Sequence, residues 1–307
     1  AGQKGRGERM KTRMNEESMN KLMAEALAIE AEDAKAAGAL GYMARCLTLA
    51  TMPHSKQEET EFTRTNGLFT MTMLSRKAIG LPYGSIPRLL TAWVATEAVR
   101  TKKPVLTLGH TLSEFMAQLD LVPTGGRWGT ITRLKEQMTR LFTCTISTTF
   151  QDKGVFLDQG FRITDAVQLF WNPQDPEQAA LWNSQIALSS AFFTEVTKHP
   201  IPVDLRAMRA LKRSPMALDI YFWLTYRMFC LSRETSIPWR VLQVQFGAGY
   251  PTTHQGTLDF KKNFLQNLGK VTLIYSEAKV FPHEHGLTLK KSAPHVQTVE
   301  GLLLSSE

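Results

Sequence analysis

The sequence predicts an α+β fold of two helix-turn-helix units in tandem, each followed by a β-hairpin, behind an N-terminal helical and flexible extension. Two observations predict it. One order of elements occurs twice along the 307 residues, and each occurrence carries an amphipathic, partly basic helix behind a glycine-containing turn. A chain of this length is long enough for two domains, each with its own core.

The extension comes first. Residues 1–14 interleave Lys4, Arg6, Arg9, Lys11 and Arg13 with glycines against the single acid Glu8, the pattern of a flexible basic arm. Residues 15–37 are rich in Ala, Glu and Met, and Leu22, Ala26 and Ile29 fall at i, i+4 and i+7 on one helical face. The polar stretch 51–65, with Pro53, reads as a linker, so the ordered core is expected from about Gly67.

In the first half, Ile86 to Thr101 reads as a helix with Leu89, Leu90, Trp93, Val94 and Val99 in its apolar stripe, and Pro87 suits its first turn. Lys102-Lys103-Pro104 ends it, and Val105-Leu106-Thr107 is extended. Thr111, with Glu114 three residues on, is a capping box for a helix reaching Leu119. After the turn Asp120–Gly126, a helix is expected over Arg127–Phe142. The β-rich stretches Thr143–Phe150 and Val155–Phe161, joined by Gln151-Asp152-Lys153-Gly154, make a hairpin. Helix, short strand, helix, turn, helix, hairpin is the order of a winged helix.

The second half repeats it. Asp204–Leu211 is a short helix, and Pro215–Leu231 a strongly apolar one. Thr235-Ser236-Ile237 is extended, Pro238–Phe246 helical, Gly247–Thr253 a turn and Thr257–Leu268 helical. Strands are expected at Val271–Tyr275, Lys279–Phe281 and Gly286–Leu289. Between the halves, Arg162–Trp171 and Leu181–Thr197 carry β-branched and aromatic residues; they extend the first sheet, or form a linker or a dimer surface. The expected division is 1–60, arm, helix and linker; 61–200, first winged-helix domain with a dimerisation surface; 201–292, second winged-helix domain; and 293–307, a tail.

Composition narrows the function. Hydrophobic residues are 43% and charged residues 21%, the balance of a soluble globular chain, and the net charge is +8. A basic surface suits a polyanion, because neutralising phosphates releases counterions. Cys46, Cys144 and Cys230 are far apart and form no CxxC pair, so each is expected as a small buried hydrophobe in a reducing cytoplasm. No apolar run is long enough to cross a bilayer, and the basic N-terminal stretch lacks the apolar core of a secretory signal. There is no P-loop, GxSxG or HExxH. His283-Glu284-His285 has a metal-ligand spacing, but a wing tip is the favoured reading. No catalytic residue, metal or cofactor is expected.

The reading candidates lie on the helix that follows the glycine-containing turn of each half. In the first they are Arg127, Thr130, Thr132, Arg133, Gln137 and Arg140, opposite the apolar Ile131, Leu134, Met138 and Leu141, with Lys153 at the tip of the expected wing. In the second they are Thr252, Thr253, His254, Gln255, Lys261, Lys262, Asn263 and Gln266, beside an apolar set of Leu258, Phe260, Phe264, Leu265 and Leu268. Arg pairs with guanine O6 and N7, Gln and Asn with adenine, and Lys and Thr with phosphates, so such faces suit the major groove.

The phrases Ile86-Pro87-Arg88-Leu89-Leu90-Thr91-Ala92-Trp93, Leu112-Ser113-Glu114-Phe115, Leu121 through Gly129 and Leu134-Lys135-Glu136-Gln137-Met138 resemble the RepA-type plasmid replication initiators of Gram-negative bacteria. So does Leu218-Asp219-Ile220-Tyr221-Phe222-Trp223-Leu224-Thr225-Tyr226-Arg227 in the second half. The resemblance implies binding to double-stranded direct repeats (iterons) at the plasmid origin, origin opening, and recruitment of the host initiator and helicase machinery. It also implies a monomer in equilibrium with a homodimer that represses its own promoter and restrains copy number, and no membrane. Gln118-Leu119-Asp120-Leu121-Val122 is similar to the pentapeptide that docks on the replicative sliding clamp, although core packing explains its leucines better. Three alternatives stand: a tandem winged-helix transcription regulator, a rolling-circle endonuclease, against which Glu284 between the histidines argues, and a structural or partition protein.

Overall fold

The computed structural model describes residues 4–171, 174–178, 184–247 and 249–296. Helix α1 (Lys4–Glu30) runs through the stretch expected as a flexible arm. The side chains of Lys4, Arg6, Arg9, Lys11 and Arg13 lie outside the described residues, as does the tail beyond 296. Leu22 and Ile29 are buried, as their helical spacing predicts. Then come β1 (Leu40–Ala44), α2 (Arg45–Leu49), β2 (Glu61–Asn66) and β3 (Phe69–Leu74). Met43, Ala44, Leu47 and Met52 are buried in the main core. The core therefore starts well before Gly67, and the end of the expected linker is a strand.

The first unit begins at Gly84, whose φ of 78° favours glycine. Helix α3 (Ser85–Thr101) has Pro87 in its first turn and is buried nearly all round. It ends at Lys102, which is left-handed at φ 56°. Strand β4 (Val105–Thr107) leads to α4 (Leu112–Gln118), where the Thr111 hydroxyl accepts from the Glu114 amide at 3.0 Å. After the turn come α5 (Thr130–Thr143), β5 (Thr145–Asp152), β6 (Val155–Arg162), β7 (Thr164–Gln168), β8 (Gln185–Leu188), α6 (Ser190–Lys198) and β9 (Pro200–Asp204). The second unit comprises α7 (Leu205–Leu211), α8 (Pro215–Cys230), β10 (Thr235–Pro238), α9 (Trp239–Phe246), α10 (His254–Ile274), β11 (Val280–Pro282) and β12 (Gly286–Leu289).

The sheets define the two units. In the second, the order is β10-β12-β11: the strand before the helix-turn-helix pairs with the last strand of the wing. The first has the same arrangement, β4-β8-β7, all antiparallel. The fold is α+β with two winged helices.

The wing of the first unit is therefore β7–β8. The β5–β6 hairpin expected in that role does form, with Gly154 at φ 80° in its turn. It joins a different sheet, ordered β2-β3-β5-β6, so Lys153 at its tip is not on the wing. The hairpin signal is local, whereas the partner of a strand is fixed by distant segments, here β3. In the second unit, Val271–Tyr275, expected as a strand, is the end of α10 and its cap, because Val271 and Ile274 continue the buried stripe of Phe260, Phe264 and Leu268. Cys230 is exposed, while Cys46 and Cys144 are buried.

The units share one core, and a buried ionic junction joins α3 to α8. Arg88 of α3 is fully buried and donates from Nε and Nη2 to Asp219 of α8 at 2.7 and 2.6 Å. Its remaining donors reach the carbonyls of Met52, Pro53 and Gly84 at 2.7, 3.2 and 2.6 Å. His54 Nε2 lies 2.7 Å from Asp219 Oδ2. Burial pushes the Asp219 carboxyl up, yet Arg88 and His54 outweigh it and hold it below its ordinary value. Burial dominates at His54 and lowers the imidazole despite the carboxylate. The extension is tied in as well: Arg206 donates to the Glu32 carbonyl at 2.7 Å.

Candidate nucleic-acid interface

Helix α5 starts at Thr130, so Arg127 and Trp128 belong to the turn rather than to the helix. Hydroxyls hold that turn. Thr130 Oγ1 donates to the Val122 carbonyl at 2.5 Å and accepts from the Thr124 amide at 2.9 Å. Thr132 Oγ1 donates to the Gly126 carbonyl at 2.9 Å. The helix cap, Gly129, has no room for a side chain, because a Cβ there would lie within 3.0 Å of the Thr124 carbonyl oxygen. Helix α10 uses the same device. A Cβ on Gly256 would lie within 3.0 Å of the Pro251 carbonyl oxygen. Thr253 caps this helix, accepting from the Gly256 amide at 3.1 Å.

The exposed face of α5 carries Thr132, Arg133, Lys135, Glu136 and Thr139. Its one carboxylate, Glu136, is taken by Arg140 at 2.8 Å, so Arg133 and Lys135 set the sign of the face. Arg127 is exposed beside it. Gln137 and Arg140, expected on this face, are buried. Gln137 Oε1 accepts from the Tyr83 amide at 2.9 Å. Arg140 Nη1 donates to the Leu81 carbonyl at 3.1 Å, and its guanidinium lies over the Tyr83 ring. Both fasten α5 to the segment before α3, and neither belongs to the exposed face.

On α10 the exposed positions are His254, Gln255, Leu258, Asp259, Lys262 and Gln266, preceded by Thr252. Gln255, Asp259, Lys262 and Gln266 repeat at helical spacing and form one face. Gln255 Nε2 donates to Asp259 at 3.0 Å, which orients the amide. Two expected readers are occupied elsewhere. Lys261 donates to the Glu284 carbonyl on the wing at 3.2 Å and lies over the Trp239 ring. Asn263 donates to Tyr250 Oη at 2.8 Å.

The wing tip is His283-Glu284-His285, as expected. His283 Nε2 lies 3.1 Å from Ser236 Oγ, and the two imidazoles are 6.5 Å apart. Among the described residues, no group of three or more His, Cys, Asp or Glu is placed to hold a metal ion. In the clamp-like pentapeptide Leu119 is buried, Gln118 accepts from the Trp93 indole at 2.8 Å and Asp120 pairs with Lys212, while Val122 is exposed.

Two further cations border these faces, and the sequence reading passed over both. Arg213 reaches a cleft of about 410 Å³ beside Arg133 and Gln137. Arg240 of α9 lines a cleft of about 570 Å³ with Arg64, Thr252 and His254. Burial pushes the Arg64 guanidinium down to about 10, so it remains a cation at neutral pH. Arg213 sits in the α7–α8 connection, and only the fold brings it beside α5.

Residues 81–240, slightly more than half of the chain, match the RepA_C family, described as plasmid encoded RepA protein. The chain belongs to the RepA_C family. This family is one of plasmid replication initiators, and the matched span of this member runs from the start of the first winged helix into α9 of the second. No curated protein matches the chain. Among solved structures, a crystal structure of domains 2 and 3 of RctB aligns over 83% of this chain and 97% of its own, at 8% identity and a TM-score of 0.51. A second structure of RctB domains 2–3 covers 80% and 96% at 11% identity and a TM-score of 0.45. The first of these likenesses is one of fold. No helix among the described residues of this RepA_C chain is long and apolar enough to cross a membrane.

Proposed function

We propose that the chain initiates plasmid replication by binding direct repeats at the origin as a monomer, with α5 and α10 in successive major grooves about 34 Å apart. The observation that carries this reading is the pair of helices α5 and α10. Two units of one topology each expose a polar, partly basic face at the start of the helix after the turn, and a buried junction holds the units together. In the first unit, Arg127 in the turn and Arg133 on α5 are the guanine readers, with Lys135 on phosphate. On α10, Gln255 and Gln266 suit adenine, while Thr252, His254 and Lys262 contact the backbone. Arg213 and Arg240 add phosphate contacts at the rims.

Initiation on this reading is binding and strain with no covalent chemistry by this chain. Bound monomers open the neighbouring AT-rich segment and recruit the host initiator and helicase machinery in the cytoplasm, while dimers repress the chain's own promoter.

The test is a binding titration at two salt concentrations. One duplex carries the direct repeats beside the chain's own gene, and the other has the same composition scrambled. Tight, repeat-specific binding that weakens with salt is expected. Equal weak binding to both would reduce the basic faces to general phosphate affinity, and preference for an inverted repeat would move the reading to a transcriptional repressor.

A further inference from the structure

The turn between α4 and α5 presents Trp128 to solvent at 79% exposure, with Val122 close by in the same turn at 75%. An indole left this open forgoes burial that would stabilise the fold, and Trp93, Trp223 and Trp239 are all buried. The turn is not loose. The Thr124–Thr130 hydroxyl pair at 3.0 Å, the Thr130–Val122 and Thr132–Gly126 bonds and the crowded Gly129 fix its backbone on both sides of the ring. The Arg127 guanidinium lies 5.1 Å from the ring centroid. The carboxylate of the turn, Asp120, is neutralised by Lys212 and lies 3.6 Å from Arg209.

We propose that Trp128, with Arg127, is a base-stacking element that takes the face of an unstacked nucleobase while α5 holds the adjoining phosphates. The inference rests on the reading of α5 as a DNA-facing helix and adds a second mode of contact to it. Charge names the occupant. The Arg127 guanidinium lies over the ring, and Arg133 is exposed one turn into α5, so cations are at hand for the phosphates that flank a base. The apolar surface is a single ring and one valine, too small for a protein-docking patch. Aromatic–base stacking needs no more than one open π-face, is indifferent to sequence, and is strengthened by a neighbouring guanidinium. The base can come from a melted strand or from a duplex kinked at a flexible pyrimidine–purine step. Its chemistry is the same in both cases.

The experiment uses the full chain, its Trp128→Ala and Trp128→Phe variants, and three fluorescein-labelled probes at one salt concentration. These are single-stranded (dT)20, an abasic strand of equal length and charge, and a direct-repeat duplex. Because Trp128 is exposed, both variants are expected to keep the wild-type melting temperature. Trp128→Ala is expected to weaken (dT)20 binding roughly 5- to 150-fold and Trp128→Phe to retain most of it, with abasic binding unchanged in both. If the loss appears on the duplex instead, the base comes from a kinked step, and the stacking assignment still holds. Wild-type binding with Trp128→Ala within twofold on every base-bearing probe overturns the stacking assignment alone. Equal loss on the abasic strand overturns it too, since no base is then involved. Failure of the wild type to bind any probe overturns the DNA-facing reading of α5 along with it.

Discussion

Replacing Arg88 by alanine tests the junction that joins the two winged helices. The guanidinium is fully buried and makes five hydrogen bonds, two of them to Asp219 and three to the carbonyls of Met52, Pro53 and Gly84. Its removal leaves the buried Asp219 carboxylate with His54 alone and takes a donor from three carbonyls, of which that of Pro53 keeps the Gly84 amide at 3.1 Å. Breaking a buried pair by deleting one partner costs about 3–5 kcal/mol, because the surviving charge is left uncompensated. At roughly 2–4 °C per kcal/mol for a chain of this size, the midpoint should fall by about 6–20 °C. The double variant Arg88→Met/Asp219→Leu removes both charges and should recover more than half of that loss, since apolar replacement of a buried pair is often neutral. The assay is thermal unfolding by circular dichroism and calorimetry at fixed pH and salt. A shift below about 3 °C for Arg88→Ala, or a double variant no more stable than the single one, would refute the assignment of the junction as a mutually dependent ion pair.

Other predictions follow from the same contacts. Arg133→Ala should weaken repeat binding by roughly 1–3 kcal/mol if it pairs bidentately with a base, without changing stability; an unchanged dissociation constant at fixed salt would count against it. Gln137→Ala should do the reverse, lowering the melting temperature through the lost Tyr83 bond while leaving intrinsic affinity intact, which parallel melting and binding curves would reveal. Gly129→Ala and Gly256→Ala should each destabilise by roughly 1–3 kcal/mol, because a carbonyl occupies the space of the new methyl; urea midpoints equal to wild type would show that the turns relax freely. Acid should destabilise the fold. Burial lowers His54 and His295 below their ordinary 6.5, so the unfolded chain takes up protons first and stability is lost as pH falls through that value. Asp219, also held low, adds a loss only in stronger acid. Melting temperatures that rise from pH 7.5 to 5.5 would contradict this sign.

Much of the fold is legible in short-range pattern. Strand β12 falls where alternation places it, at Gly286–Leu289, and α4 begins where Thr111 and Glu114 place a cap. What escapes is set at long range. Nothing within residues 143–162 tells which sheet their hairpin joins; β3 decides it, more than seventy residues upstream of the paired strand. The same holds for side chains at the edges of a helical stripe. Gln137 and Arg140 have the composition of a reading face, and only Leu81 and Tyr83, packed alongside, turn them inward. Arg133, four residues before Gln137, lines the open cleft beside Tyr83 and stays exposed. Composition therefore located the two helices, while the residues that reach outward from them depended on what each helix packs against.

The buried pairing of Arg88 with Asp219 also bears on the shape of the DNA that the chain accepts. Units linked by a flexible tether tolerate variable gaps between their targets, whereas these share one core and turn as a single body. On the reading proposed above, the distance and the rotation between the two bound grooves are then properties of the protein. Inserting about five base pairs in the middle of a repeat would rotate its far half by roughly half a turn, away from α10. The phase of the repeat, as distinct from its letters, would be set by two side chains that never approach DNA.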